Sequence, residues 1–568
     1  MHHMLHIKNG IVIDPKNGIK AEKMDIFVKD GKIVDESEVN KSDCKVIDAS
    51  NKLVVAGGVD LHAHIAGGKI TMGRIMRPEE FRIVRSTANK LRATVGRTLL
   101  TSPAIGYEYA KMGYTTAIEP ATPSLFALHT HEELDSIPVV DKAALPLFGN
   151  WHLVFKYAAE NDIEKLKSFI AWVLERTKGY GIKIVNPGGV EAWMYADNVH
   201  SLDDTVPGFD VTPRDVILSL VKANEELNLP HSVHLHCNNL GVPGNYETTL
   251  ETMKLVSSFS NDKRQILHIT HVQFNAYTGS SWKDIGSGAD EIAKYVNSAG
   301  NITIDMGQIV FGHATTMTAD SPFQFALHRL VHMKWINKDV ELETGSGIVP
   351  IVYRPKNPVN SVQWAIGLEL GLLIDPDKVT VSTDYPNAGP FTSYPYIMAL
   401  LMSKKMREKE MENAHSYLQK ATNLPSIDTE RTLEEIIQMT RVTPARILGM
   451  ENKGHLGIGA DADIAIFDLN PETLDPSNDY ELIQKAFGSP AYTIKSGVVI
   501  VKDGVLQCEY WGRTFWVDLK DKVTESIESD LDEYFNYYTI ERSNYGVEER
   551  WIRNPARVGG ARWYNAED

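Results

Sequence analysis

Two histidines one residue apart, His62 and His64, follow the apolar run Leu53-Val54-Val55-Ala56-Gly57-Gly58-Val59-Asp60-Leu61. A run this rich in valine reads as a strand, and because strand side chains alternate faces, both imidazoles project to one side, where two of them can grip one metal ion. Taken alone, His-x-His describes surface histidines at a strand end equally well. Further along, Lys183 interrupts Ile182-Lys183-Ile184-Val185, where a lysine is costly unless it is neutral or modified. His234 and His236 alternate in one strand-like segment, His268 and His271 lie in the next, and Asp384 closes Val379-Thr380-Val381-Ser382-Thr383-Asp384. Singly, each has an ordinary explanation: a lysine with its head in water, a structural histidine, an aspartate capping the next element. The joint succession His-x-His, Lys, His, His, Asp on separate strand ends points instead to a metal centre. His231, His234 and His268 read as structural or supporting residues, with His234 the alternative ligand because it shares a strand face with His236.

These residues need elements that bring them together. Besides 53–64, strand-like runs occur at 113–121, 181–187, 231–238, 265–274, 301–308, 340–347 and 378–386, each followed by enough chain for a crossover helix. Eight strands alternating with helices predict an α/β fold, a parallel (β/α)8 barrel, whose strand C-termini converge on one site. The long segments 66–105 and 196–213 are expected on the active-site face. The runs at 5–14 and 25–34, punctuated by Asn-Gly and Asp-Gly, read as a β-meander. A matching pattern returns at 454–468 and 498–506, predicting a small β-sandwich built from both chain ends. The expected organisation is therefore 1–56 and 451–508 as the two sandwich portions, 57–450 as the barrel, and 509–568 as an extension. The aromatics of that extension, including Tyr510, Trp511, Trp516, Tyr534, Trp551 and Trp563, suit either a cover for the barrel or a subunit interface. The interface is the expectation.

With 568 residues, 43% hydrophobic and 23% charged, the chain is long enough for a barrel plus a smaller partner. It has no run of eighteen apolar residues and no signal-peptide pattern at its start, so no membrane insertion and a cytoplasmic location are expected. Three scattered cysteines, Cys44, Cys237 and Cys508, argue against a disulfide framework or an iron–sulfur cluster. A net charge of −16 disfavours nucleic acid as a partner.

The motifs resemble those of the amidohydrolase (urease-like) superfamily: Gly58-Val59-Asp60-Leu61-His62-Ala63-His64, Lys183 in a strand, His236-Cys237-Asn238, His271-Val272, Ser382-Thr383-Asp384-Tyr385, and the Gly457 to Ile464 run. Longer strings, HLHCNNLGVPGNYETT, THVQF, ELETGSG, TDYPNAGPFT and LPLFGN, look like the family of the formylmethanofuran dehydrogenase A subunit and its bacterial relative, the alpha subunit of formyltransferase/hydrolase. The resemblance covers nearly the whole chain. It implies two zinc ions, one held by His62 and His64, the other by His236 and His271, bridged by N6-carboxylated Lys183, with Asp384 as general base and acid. It also implies condensation of formate with methanofuran to N-formylmethanofuran, and the reverse hydrolysis, as part of one-carbon metabolism in methanogenesis. The implied setting is a multi-subunit oxidoreductase complex with a molybdenum- or tungsten-dependent formate dehydrogenase-like subunit. Residues binding the furan cofactor are not assigned. Two other readings stand beside this one: a stand-alone cyclic-amide hydrolase of hydantoinase or dihydroorotase type, and a metal-free scaffold subunit. The intact His, Lys and Asp set speaks against the scaffold, and the longer strings speak against the stand-alone enzyme.

Overall fold

The computed structural model describes residues 4–79, 98–338, 346–538, 540–559 and 562–563. The apolar run that carries the first histidines is two strands, not one. Leu53–Ala56 pairs with Ile464–Phe467 and with the first strand of the chain, Met4–Asp14, whereas Gly58–Asp60 pairs with Tyr114–Thr122. The switch falls at Gly57, where a Cβ would lie 2.3 Å from Thr115 Oγ1, so only glycine lets the chain cross between the two sheets here.

Gly58–Asp60, Tyr114–Thr122 and Asp141–Pro146 form one parallel arc. Lys183–Val185, Val233–His236, Leu267–Ile269, Ile302–Asp305 and Val379–Thr380 form another. Parallel bridges Leu147–Lys183 and Ala63–Tyr385 join the arcs at both seams, with Phe148 N–H donating to Lys183 O at 2.9 Å and His64 N–H to Tyr385 O at 2.8 Å. The result is an α/β barrel of eight parallel strands. Its crossover helices form for local reasons. Asp162 caps Ile163–Thr177 by accepting from Lys165 N–H, and Leu166, Phe169, Ile170, Val173 and Leu174 recur at helical spacing on its buried face. A Thr212/Asp215 capping box followed by Pro213 starts Pro213–Glu226.

Seven of the expected strand regions hold barrel strands. The run at 340–347 does not: residues 340–345 lie outside the described ones, and Ser346–Tyr353 pairs antiparallel with Gly312–Thr318 and Ile336–Lys338 in a separate three-stranded sheet. The barrel place goes instead to Asp141–Pro146, which opens on two charges and so does not read as a buried strand. Both charges are buried because each is answered: Asp141 by Lys453, Lys495 and Arg513, and Lys142 by the Ile137 carbonyl at 3.1 Å. The segment 66–105 contains the helix Gly68–Met76 and the start of Ser102–Lys111.

Both chain ends meet in a nine-stranded sheet. Met4–Asp14 bends at a register shift between Ile7 and Gly10, pairing its first half with Lys45–Asp48 and its second with Leu53–Ala56. A distinct core, including Leu5, Val12, Val28, Ile47, Ile464 and Ile494, fills this unit. In the extension, Thr514–Val517 continues the barrel sheet by pairing in parallel with Lys142 and Ala143. Phe515, Trp516 and Tyr534 are buried within the chain, and Asp530 accepts from Lys156, Lys165 and Tyr157 at 2.7–3.0 Å. Tyr537 (81%) and Trp551 (44%) face outward. Among the described residues no helix is long and apolar enough to cross a membrane.

Candidate metal centre

His62, His64, Lys183, His236, His271 and Asp384 line one cavity of about 1130 Å³ at the C-terminal ends of the barrel strands. His62 Nε2 and His64 Nε2 lie 3.1 and 3.3 Å from the same oxygen, Asp384 Oδ1. One ligand atom from each of these three residues lies within 4.8 Å of the others. The His271 ring stands edge-on to His62 at 5.3 Å and to His236 at 4.8 Å between centroids. His271 and Asp384 both adopt left-handed backbone conformations, with φ of 39° and 45°. Such strain at two strand ends is the kind tolerated where a side chain must be aimed.

Lys183 sits one layer deeper, in register with His234, and reaches the cavity along its four-carbon stem. It is 1% exposed, and its Nζ donates to Thr270 Oγ1 at 3.0 Å. Burial, only partly opposed by Asp305 and Asp384, pulls its pKa down to about 7. Burial likewise holds His236 and His271 below the ordinary imidazole range, so both are neutral and have a lone pair to give. Burial opposes ionisation of Asp384, but His271 and His62 outweigh it and keep the carboxyl well below its usual range.

Carboxylates absent from the sequence-derived set hold the rings from behind. Glu119 Oε1 lies 3.2 Å from His64 Nδ1, and its Oε2 accepts the backbone N–H groups of Ile65 and Ala66. Asp305 Oδ2 lies 3.3 Å from His62 Nδ1 and 3.2 Å from His268 Nε2. Each ends an apolar run, Thr116-Ala117-Ile118-Glu119 and Ile302-Thr303-Ile304-Asp305, which is the signal that singles out Asp384. Asp320, hydrogen-bonded to His236 Nε2 at 3.1 Å, carries no such signal because it lies outside the barrel strands. His268 is thus tied to Asp305 and Thr303. His231 accepts the Ile182 N–H at 2.9 Å and serves the strand backbone. His234 is fully buried beneath the cavity, its ring 4.8 Å from that of His268.

Two atoms test whether a cation suits this place. Asp384 Oδ1 and His271 Nδ1 are buried with no hydrogen-bond partner, a costly arrangement unless something else pairs with them. Imidazole nitrogens with a carboxylate oxygen are the donor set of zinc and similar divalent ions. The residues fit a metal.

A parallel barrel that gathers histidines, a lysine and an aspartate at its strand ends defines a hydrolase of the metal-dependent type. The amidohydrolase family model matches residues 45–501. Protein FwdA of Methanocaldococcus jannaschii is 49% identical over 558 residues, 96% of this chain and 97% of that protein. The A subunit of the formyltransferase/hydrolase complex Fhc of Methylorubrum extorquens is 35% identical, covering 91% of this chain and 92% of that one. The crystal structure of the Methylorubrum extorquens complex FhcABCD with methylofuran contains a chain that superposes with a TM-score of 0.89 at 33% identity, over 98% of this chain and 99% of the other. The chain belongs to the amidohydrolase family, in the branch that holds the A subunits of formylmethanofuran dehydrogenase and of formyltransferase/hydrolase.

Proposed function

We propose that this chain interconverts an N-formyl amine with formate and the free primary amine, N-formylmethanofuran and methanofuran being the pair, as one component of a larger complex. The observation that carries this reading is the convergence of His62, His64, Lys183, His236, His271 and Asp384 on one cavity, in a chain alike along its whole length to one whose complex was crystallised with methylofuran. The proposed metal set is two zinc ions, one on His62 and His64 and one on His236 and His271, bridged by Lys183 carboxylated on Nζ. When bound, such a pair supplies Lewis acidity for the formyl oxygen and makes a water acidic at neutral pH.

The chain's own residues supply the rest. Loss of its proton leaves Lys183 Nζ with a lone pair that can form an N–C bond to carbon dioxide, and the carbamate offers two oxygens where a bare amine offers one nitrogen. In hydrolysis, Asp384 takes the proton of the attacking water and gives it to the amine nitrogen as the C–N bond breaks. In condensation it first takes a proton from the incoming ammonium, freeing the lone pair that attacks the formate carbon. The aromatic and apolar wall of the cavity, including Trp193, Phe274, Tyr277 and Phe323, restricts water around the amide.

The purified chain loaded with zinc is expected to release formate from N-formylmethanofuran and to form nothing from carbon dioxide and a reduced electron donor. Ready hydrolysis of hydantoin or dihydroorotate, with N-formylmethanofuran untouched, would replace this reading with a stand-alone cyclic-amide hydrolase. Purification from the native source is expected to yield a complex in which another polypeptide carries molybdenum or tungsten.

A further inference from the structure

Which imidazole nitrogen can bind a metal is decided by what the other one does. At His64, Nδ1 meets Glu119, and at His62 it lies beside Asp305, so each turns Nε2 toward Asp384. His236 is reversed. Its Nε2 is paired with Asp320 Oδ2 at 3.1 Å, with both side chains buried. A ring that donates from Nε2 carries its lone pair on Nδ1.

Asp320 does not belong to the barrel. It stands between Gly312–Thr318 and the helix Ser321–Val331, in the segment inserted after Ile302–Asp305. Its Oδ1 accepts from Asn186 Nδ2 at 3.0 Å and from Phe323 N–H at 3.2 Å, capping the helix, while its own N–H donates to Thr318 Oγ1 at 3.1 Å. The same helix presents Phe323, Leu327, Leu330 and Val331 to the cavity. One carboxylate therefore touches both the wall of the cavity and the back of a metal-site histidine.

We propose that Asp320 is a positioning residue that holds His236 with its proton on Nε2 and its lone pair on Nδ1, and that couples occupancy of the second metal position to the inserted helix. This rests on His236 being a ligand, as proposed above. The substitution that isolates the role is Asp320→Asn. The two donors on Oδ1 oblige the amide oxygen to stay on that side, so the amide NH2 faces Nε2 and favours a lone pair there, which moves the ring proton to Nδ1. The cap on the helix is kept.

The test titrates zinc into the metal-free chain, with zinc content, competition against a chelator, and hydrogen exchange over 321–331 as readouts. The wild type is expected to take two ions, and the second to slow exchange in the helix. The Asp320→Asn chain should keep its metal-free melting temperature and its first ion, bind the second about 10- to 100-fold more weakly, and lose the slowing. Two ions of wild-type affinity in the variant would overturn the role of Asp320 while leaving the metal pair in place. Fewer than two ions in the wild type would overturn the metal pair and this inference together.

Discussion

Lys183 shows how one residue takes its chemistry from its surroundings. In water its amine is a cation at neutral pH, but buried among Ile182, Ile184 and the site histidines its pKa falls to about 7, and a large share is unprotonated and open to carbon dioxide. Lys183→Ala should lose most of the bound zinc and most of the activity, with partial return on adding a short carboxylic acid. Full zinc content in that variant, by metal analysis, would remove the lysine from the bridging position. Asp384 differs in that its oxygen lies between His62 and His64 and supports no element of the fold. Asp384→Asn should fold as the wild type does by circular dichroism and turn over about a hundredfold more slowly, as expected for loss of an acid–base group. Unchanged turnover of N-formylmethanofuran would take it out of the mechanism.

Among elements, the strand Asp141–Pro146 is the one held by charge. Lys453 and Lys495 both reach Asp141 and Asp463, and Arg513 reaches Asp141 and Asp461, so barrel, terminal sheet and extension share one buried network. Removing one member leaves buried charges unanswered, and Asp141→Ala should cost about 3–5 kcal/mol in urea unfolding. A cost under about 1 kcal/mol would mean that water enters and answers the lysines. The helix Pro358–Leu373 carries a second buried acid, Glu369, which accepts from Ser287 Oγ and Asn423 N–H. Burial raises its pKa to about 7 against those hydrogen bonds. The folded chain thus holds this proton more tightly than the unfolded chain, and stability falls as pH rises from about 4.5 to about 7. Glu369→Gln should lack that fall, seen as a flatter melting temperature across the interval. An unchanged slope would mean that the carboxyl ionises in the fold as it does in water.

At the scale of the molecule, division of labour follows from what the barrel can and cannot do. Its cavity brings proton carriers and metal ligands together, whereas Cys44, Cys237 and Cys508 lie apart and unpaired. Formate release from N-formylmethanofuran by the zinc-loaded chain alone is the outcome expected in a stopped assay for formate. Carbon dioxide reduction by that same preparation would refute the division. The outward-facing Tyr537 and Trp551 are the extension's remaining candidates for contact with a partner, since Phe515, Trp516 and Tyr534 are spent on the barrel itself.

Alternation and motif are local properties, and so seven barrel strands and the residues at their ends can be read along the chain. His62, Lys183, His236, His271 and Asp384 stand out because each is a polar group ending or interrupting an apolar run. Glu119 and Asp305 carry the same mark, yet a single carboxylate has so many ordinary uses that the mark alone does not promote it. Asp141–Pro146 is illegible for a different reason: its two opening charges look solvated until Lys453, Lys495 and Arg513 arrive from more than three hundred residues away. The division of Leu53–Asp60 between two sheets depends on the Thr115 side chain that crowds Gly57. Asp320 is the furthest case. Its contact with His236 spans 84 residues and is made by a segment outside the barrel repeat, so no spacing records it. Spacing specifies which side chains share a face, but which nitrogen of a ring is held from behind is decided only when distant backbone folds over it.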